Sequence, residues 1–204
     1  MSDLIKISEL ARKAALPPST IRHYTDRGLI KPTGETDGGQ RLYDPENSIK
    51  RIKLVKALSK RGHNLEAIKE EIDKRSRHIK VLIVDDEPEV GEFVKDIFTM
   101  HNENPANPRK FEFTIATDGF TAGRMCGDIL PDIVLLDLML PGINGFEVCK
   151  AIKSDPDISF AKIIAITAFN TQEHMRMIFD AGADEFLPKP FQSAELMSKI
   201  EKLI

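Results

Sequence analysis

The sequence has 204 residues, which is long for one domain and short for three, so two domains are expected. Hydrophobic residues make up 41% of it, enough for ordinary cores, but no run of about 18 apolar residues predicts a membrane span. The net charge of −3 combines +6 in residues 1–77 with −9 in residues 78–204. A basic first part suits a polyanionic partner, and an acidic second part does not.

The start and the cysteines favour one compartment. The opening MSDLIKISEL lacks the basic and then apolar regions of a signal peptide. The two cysteines, Cys126 and Cys149, have no metal-type spacing, and we interpret both as reduced packing residues on helices. A cytoplasmic protein is therefore expected.

The first 75 residues predict a small, mainly helical domain. ISELARKAA is a short helix, and LPPSTIRHYTDRG gives a turn and a second helix. The Gly-rich segment GLIKPTGETDGGQRLYD predicts a small hairpin or wing. Two amphipathic helices follow, in PENSIKRIKLVKALSKRG and NLEAIKEEIDKR. The polar stretch DKRSRHIK then marks a boundary, so that we assign residues 1–75 to the first domain, 76–79 to a linker and 80–204 to the second domain.

Strand and helix signals alternate in the second domain. The predicted strands are KVLIV (80–84), FEFTIAT (111–117), DIVLL (132–136), KIIAIT (162–167) and the short DEFLP. A helical pattern follows each of them. Five such units predict an α/β domain, a (βα)5 doubly wound parallel sheet covered by helices on both faces.

Polar side chains stand where these strands end. Asp85 and Asp86 follow the first strand, Asp137 the third, Thr167 ends the fourth and Lys189 follows the fifth. Because carboxyl ends of parallel strands share one edge, these groups are expected to converge. Clustered carboxylates recruit a cation, and oxygen ligands favour Mg²⁺. With Lys189 and Thr167 to bind phosphoryl oxygens and Asp137 as nucleophile, the set suits phosphoryl transfer.

The second domain resembles the receiver (CheY-like) domain of two-component response regulators, a flavodoxin-like fold. VLIVDDEPEV, DIVLLDLMLPGINGFEV, IIAITA and ADEFLPKPF match the family pattern in order over residues 79–204. The resemblance implies that Asp137 accepts a phosphoryl group from a histidine kinase or phosphotransfer protein. It also implies that Asp85 or Asp86, Asp137 and the Met139 carbonyl coordinate Mg²⁺, while Thr167 and Lys189 bind the phosphoryl oxygens. Phe186 occupies the position of the aromatic switch residue, and its ring is expected to become buried on phosphorylation.

The first domain resembles the winged helix-turn-helix of MerR-type regulators over residues 4–72, through ISELARKAALPPSTIRHYTDRGLI and GGQRLY. The resemblance places the second helix in the major groove of DNA. The residues it assigns to DNA binding are Ser19, Thr20, Arg22, His23 and Tyr24 on that helix, Arg41 and Tyr43 of the wing on the DNA backbone, and Arg12 and Lys13. Pro17-Pro18 replaces the usual Ser or Thr cap of the helix, which leaves its N-terminal side-chain cap in question.

Together the two resemblances imply a phosphorylation-controlled, DNA-binding transcription regulator that is not an enzyme in the usual sense. Its expected partners are double-stranded DNA, the kinase and RNA polymerase. No association with a membrane is expected. MerR-type proteins continue into a dimerising coiled coil where this chain enters its receiver, so we expect phosphorylation to promote a homodimer through the receiver face around its fourth helix, fifth strand and fifth helix. The alternative is an adaptor whose receiver docks other proteins and whose helix-turn-helix part does not bind DNA specifically.

Overall fold

The computed structural model describes residues 3–142, 144–168 and 171–204. The chain divides into two compact units, Met1–Lys74 and Arg75–Ile204. No helix within the described ranges is long and apolar enough to cross a membrane.

The first unit is mainly helical. Its described elements are β1 (Ile5–Lys6), α1 (Ile7–Lys13), α2 (Pro18–Asp26), β2 (Gly34–Glu35), β3 (Arg41–Tyr43), α3 (Pro45–Lys60) and α4 (Leu65–Arg75). The strands form an antiparallel sheet in the order β1-β3-β2, in which β2 and β3 are the predicted hairpin or wing and β1 adds a strand that was not predicted. Apolar residues at helical spacing build one core beneath it, including Leu10, Ile21 and Ile52.

Helix α2 begins at a proline without a side-chain cap. Pro17 is its N-cap residue and makes no capping hydrogen bond among the described residues, while Pro18 is the first helical residue. Proline is tolerated there because the amide of the first turn has no partner inside the helix. The question raised by the Pro17-Pro18 pair is therefore answered: the helix forms and its side-chain cap is absent.

The second unit is a doubly wound α/β domain. Its described elements are β4 (His78–Val84), α5 (Pro88–Glu103), β5 (Lys110–Ala116), α6 (Gly119–Ile129), β6 (Ile133–Asp137), α7 (Gly145–Ser154), β7 (Lys162–Thr167), α8 (Gln172–Asp180), β8 (Glu185–Pro188) and α9 (Ser193–Leu203). All strand pairs are parallel, in the order β5-β4-β6-β7-β8. This confirms the predicted sheet and gives the strand order that the sequence left open.

Burial explains why the central strands read as continuous apolar runs. All five residues of β6 are buried, and so are the last four of β4. Strand order reverses between β4 and β6, the place where sheets of this kind open a crevice beyond their carboxyl ends. Cys126 and Cys149 are free and buried in the flanking helices, as predicted. Burial raises the pKa of the Cys126 thiol to about 12.

The predicted linker at 76–79 is too long. Strand β4 begins at His78, which pairs with Lys110, and Ile79 is buried in the core. Only Ser76 and Arg77 therefore separate α4 from β4. Ile79 lies between the polar residues His78 and Lys80, so the local sequence pattern did not identify it as part of the strand.

Candidate phosphoacceptor site and recognition helix

Polar side chains from three strands meet at the carboxyl edge of the parallel sheet. The Lys189 Nζ lies 2.6 Å from Asp137 Oδ2 and 2.9 Å from Asp85 Oδ2. Asp137 is the last residue of β6 and pairs with Ile166, so Thr167 stands one residue beyond it on the neighbouring strand. Asp85, Asp137 and Thr167 are all buried. The topology thus brings together residues about 100 positions apart in sequence, as predicted.

The carboxylates fit a divalent cation. Oxygens of Asp85, Asp86 and Asp137 lie within 4.8 Å of one another. Asp85 Oδ2 is buried and makes no hydrogen bond within the described part of the chain; its contact with Lys189 is close but is not a well-directed hydrogen bond. Burial raises the pKa of Asp85, because Lys189 and the Glu87 amide offset its desolvation only in part. Hard oxygen donors with an unsatisfied buried atom are the donor set that Mg²⁺ prefers.

Lys189 is the cation at the centre of this pocket. Its ammonium donates hydrogen bonds to Asp137 and, at 2.9 Å, to Glu87 Oε1. Burial opposes its charge, yet the three neighbouring carboxylates prevail and raise the pKa of Lys189 above its usual value. The sequence reasoning missed Glu87, whose only signal was a third acid directly after Asp85-Asp86.

The loop after β6 is held against Asp137 by backbone contacts. The Met139 amide donates to Asp137 Oδ1 at 2.8 Å, and the exposed Met139 side chain lies on the surface. The Gly145 amide donates to Leu138 O at 3.1 Å. A Cβ atom on Gly145 would stand 2.3 Å from Asp137 O and 2.5 Å from Leu138 Cα, far inside contact distance. Gly145, also missed from the sequence, lets α7 start directly against the backbone of Asp137.

Phe186 lies on β8, and its side chain is buried, at 9% exposure. The next residue, Leu187, is buried as well, so both faces of this strand are covered there. The change of the Phe186 ring on phosphorylation remains a prediction. Phe169, two positions after Thr167 in the sequence, lies outside the described residues.

Most of the residues assigned to DNA recognition are exposed or half-buried in the first unit. Ser19, Arg22 and His23 are exposed on α2, with Thr20 and Tyr24 half-buried beside them. Ile21 packs into the core and fixes which side of the helix faces out. Arg12 and Lys13 are exposed at the end of α1.

The wing presents Arg41 but not Tyr43. Arg41 is exposed and forms an ion pair with Asp26 at 2.8 Å. The Tyr43 side chain is fully buried in the core. Its hydroxyl lies 3.1 Å from Thr25 Oγ1, which itself donates to Ile21 O, so Tyr43 acts as the donor. The expectation that Tyr43 contacts the DNA backbone is therefore wrong, because its ring packs in the core and its hydroxyl bonds to Thr25.

Known proteins with similar sequences and structures match about three-fifths of this chain. RpaA of Synechocystis, described as a DNA-binding dual master transcriptional regulator, is 29% identical over 61% of this chain and 48% of its own length. This chain thus spans about half the length of that curated relative. The signal receiver domain of a DNA-binding response regulator (merR) from Colwellia psychrerythraea is 30% identical, with a TM-score of 0.54, over 61% of this chain and 97% of that one.

A third similarity concerns the metal. The receiver domain of the sensor histidine kinase PA1611 from Pseudomonas aeruginosa, solved with a magnesium ion coordinated in the active-site cleft, is 25% identical. Its TM-score is 0.54, over 62% of this chain and 97% of that one.

Family models match both units. The response regulator receiver domain matches residues 81–201, and the MerR HTH family regulatory protein model matches residues 5–74. The chain belongs to the response regulator receiver family, with a MerR-type helix-turn-helix region ahead of its receiver.

Proposed function

We propose that this protein is a cytoplasmic transcription regulator of a two-component phosphorelay, in which phosphorylation of Asp137 controls binding to double-stranded DNA. The observation that carries the proposal is the buried Asp137 carboxylate, held 2.6 Å from Lys189 beside two further acids at the sheet edge. The expected donor is a sensor histidine kinase or a phosphotransfer protein. RNA polymerase is the expected further partner. We propose no reaction for the chain beyond the transfer of the phosphoryl group to Asp137 and its later loss.

Asp137 is the group suited to attack phosphorus. As its carboxylate oxygen bonds to phosphorus, the bond between phosphorus and the histidine nitrogen of the donor breaks. The two hydrogen bonds from the Met139 amide and Lys189 hold that carboxylate in one orientation. Lys189 then turns to the new phosphoryl oxygens, and the Thr167 hydroxyl is the second donor expected to bind them.

Asp85, Asp86 and Asp137 are the residues that would hold Mg²⁺, with the Met139 carbonyl as a further ligand. When bound, the ion supplies positive charge that offsets the negative charge of the phosphoryl group. The carboxylates alone would repel an anionic donor, so we expect phosphorylation to require the metal.

The exposed face of α2 supports DNA as the partner of the first unit. Ser19, Arg22 and His23 project from one helix, and Arg12, Lys13 and Arg41 add positive charge around it. A helix of this length can enter the major groove, where side chains at its start reach base edges.

Selection of bound fragments from a random DNA library tests the proposal directly. The full chain is used with and without beryllofluoride, a phosphoryl mimic, in the presence of Mg²⁺. We expect one enriched sequence, whose binding weakens steeply as salt rises. If no sequence is enriched in either state, the first unit acts as an adaptor that does not bind DNA specifically.

Arg22→Ala and Arg41→Ala are expected to differ in kind. Arg22 projects from α2, and its loss should cost about 1–3 kcal/mol of binding and relax the sequence preference at one position. Arg41 is on the wing, and its loss should weaken binding to all sequences alike and lower the salt slope. Binding profiles measured over a set of operator variants check this, and identical profiles for the two variants would contradict the distinction.

The aspartyl phosphate is expected to be long-lived, because the exposed Met139 side chain at the pocket cannot orient an attacking water. Met139→Asn supplies a polar amide there and should shorten the lifetime by about tenfold, which corresponds to about 1.4 kcal/mol. Loss of the label after removal of the phosphodonor measures the lifetime. A lifetime of seconds in the unchanged chain, with no change in the variant, would contradict the explanation.

We further propose that phosphorylation promotes a homodimer through the face around α8, β8 and α9. Helix α8 carries exposed apolar side chains, Met177 at 49% and Phe179 at 47%, which association could bury. We expect the Thr167–Phe186 couple to transmit the change from the pocket to this face.

Sedimentation of the full chain with and without beryllofluoride tests the dimer. We expect a monomer that becomes a dimer, and Met177→Glu should weaken association by about tenfold, or about 1.4 kcal/mol. Met100→Glu changes a methionine on α5 that is even more exposed, at 72%, and as the control it should dimerise normally. A full chain that is dimeric in both states, and unaffected by Met177→Glu, would locate the dimer in the first unit.

A further inference from the structure

Glu87 reaches into the phosphoacceptor pocket from outside the acid cluster. Its Oε1 accepts a hydrogen bond from Lys189 Nζ at 2.9 Å, across 102 positions of sequence. Glu87 is the N-cap residue of α5, yet its side chain caps no amide among the described residues and turns to Lys189 instead. Its own amide donates to Asp85 Oδ1 at 3.0 Å, so one residue contacts both a proposed metal ligand and the pocket lysine.

We infer that Glu87 is a positioning residue that competes with the phosphoryl group for Lys189. The inference rests on the proposed function, because it concerns the same lysine and the same phosphoryl group. Glu87 thereby sets how tightly the pocket retains a phosphoryl group once Asp137 has received it.

The three anions around Lys189 have different roles once the pocket holds a phosphoryl group and a metal. Asp137 and Asp85 are its partners at 2.6 and 2.9 Å, and both are needed elsewhere, Asp137 for the phosphoryl group and Asp85 for the metal. Within the described part of the chain the metal-type cluster comprises Asp85, Asp86 and Asp137, so Glu87 stands outside it. Glu87 is the anion that keeps its hold on the lysine in the phosphorylated state.

Because Glu87 is exposed to solvent, its competition for Lys189 costs little free energy. The Glu87 side chain is 60% exposed, so its carboxylate stays hydrated while it accepts from Lys189, whose side chain is only 14% exposed. An exposed ion pair of this kind is worth little as a stabilising contact. The hydrogen bond to Glu87 therefore directs part of the positive charge of Lys189 away from the phosphoryl oxygens.

Glu87→Gln is therefore expected to strengthen the pocket for phosphoryl groups. The amide keeps the size and shape of the side chain but loses the charge that attracts Lys189. We expect the full chain carrying Glu87→Gln to bind beryllofluoride about threefold more tightly at saturating Mg²⁺, a change typical of one exposed ion pair. Isothermal titration measures it, and Glu89→Gln, the same change at an exposed position two residues on along α5, should leave affinity unchanged.

A double variant tests whether Glu87 acts through the lysine. In a Lys189→Met background Glu87→Gln should have no effect on beryllofluoride affinity, because the group it competes for is gone. Unchanged or weaker binding in Glu87→Gln alone would overturn the inference, and so would an equal gain in the Lys189→Met background. If the unaltered chain does not bind beryllofluoride at all, the proposed phosphoacceptor function fails instead.

Discussion

Asp137→Asn is expected to abolish labelling of the protein by a phosphodonor. An amide is a poor nucleophile, and the substitution also removes one of the three carboxylates that would hold Mg²⁺. Asparagine has the size of aspartate and retains an oxygen that can accept from the Met139 amide, so the fold should persist. Incorporation of label from a radioactive phosphodonor, followed with and without Mg²⁺, measures the effect.

Asp128→Asn is the matched control for that experiment. Asp128 is an exposed residue of α6 and is not a member of the cluster of Asp85, Asp86 and Asp137, so its loss should leave labelling intact. Undiminished, Mg²⁺-dependent labelling of Asp137→Asn would move the acceptor to another residue. A loss of labelling in both variants would point to general damage rather than to chemistry at Asp137.

Gly145→Ala is expected to damage both the stability of the second unit and its pocket. The new Cβ would stand 2.3 Å from Asp137 O and 2.5 Å from Leu138 Cα. Both atoms belong to the backbone, so no side chain can rotate aside, and the start of α7 must separate from the end of β6. We expect a loss of about 3 kcal/mol in the free energy of unfolding, the upper range for overpacking, together with a severe loss of labelling at Asp137.

Gly123→Ala separates this effect from the helix propensity of alanine. Gly123 lies inside α6, and nothing stands within 4 Å of a Cβ atom placed there. Alanine at that position should stabilise the helix by about 0.5–1 kcal/mol and leave labelling unchanged. Denaturant unfolding of both variants measures the difference in the free energy of unfolding. Equal values would show that the loop after β6 can move to accommodate the new Cβ atom without loss of stability.

The alternation of elements could be predicted because its signals are local. The apolar run of β6 and the Pro88 start of α5 identify their elements without reference to the rest of the chain. The convergence of Asp85, Asp137 and Lys189 follows from one further step, since parallel strands end on one edge. The strand pattern in the sequence does not include His78, because His78 and the residues before it are polar.

Other features depend on contacts that no local pattern encodes. Tyr43 is a wing residue by sequence and a core residue by packing, because the strand turns it toward Thr25. Glu87 reads as a surface acid until its distance to Lys189 is known. Gly145 reads as an ordinary loop glycine, and only the approach of the Asp137 backbone gives the reason for it.

The central claim is that the state of Asp137 controls DNA binding by the full chain. The most direct measurement is the affinity of the full chain for its selected DNA sequence, titrated at fixed salt and Mg²⁺ with and without beryllofluoride, for the unaltered protein and for Asp137→Asn. The account predicts that beryllofluoride changes the affinity of the unaltered protein by about tenfold or more, or about 1.4 kcal/mol, and leaves that of Asp137→Asn unchanged. Equal affinity of the unaltered protein in both conditions, once beryllofluoride binding to its pocket is established, would contradict the account.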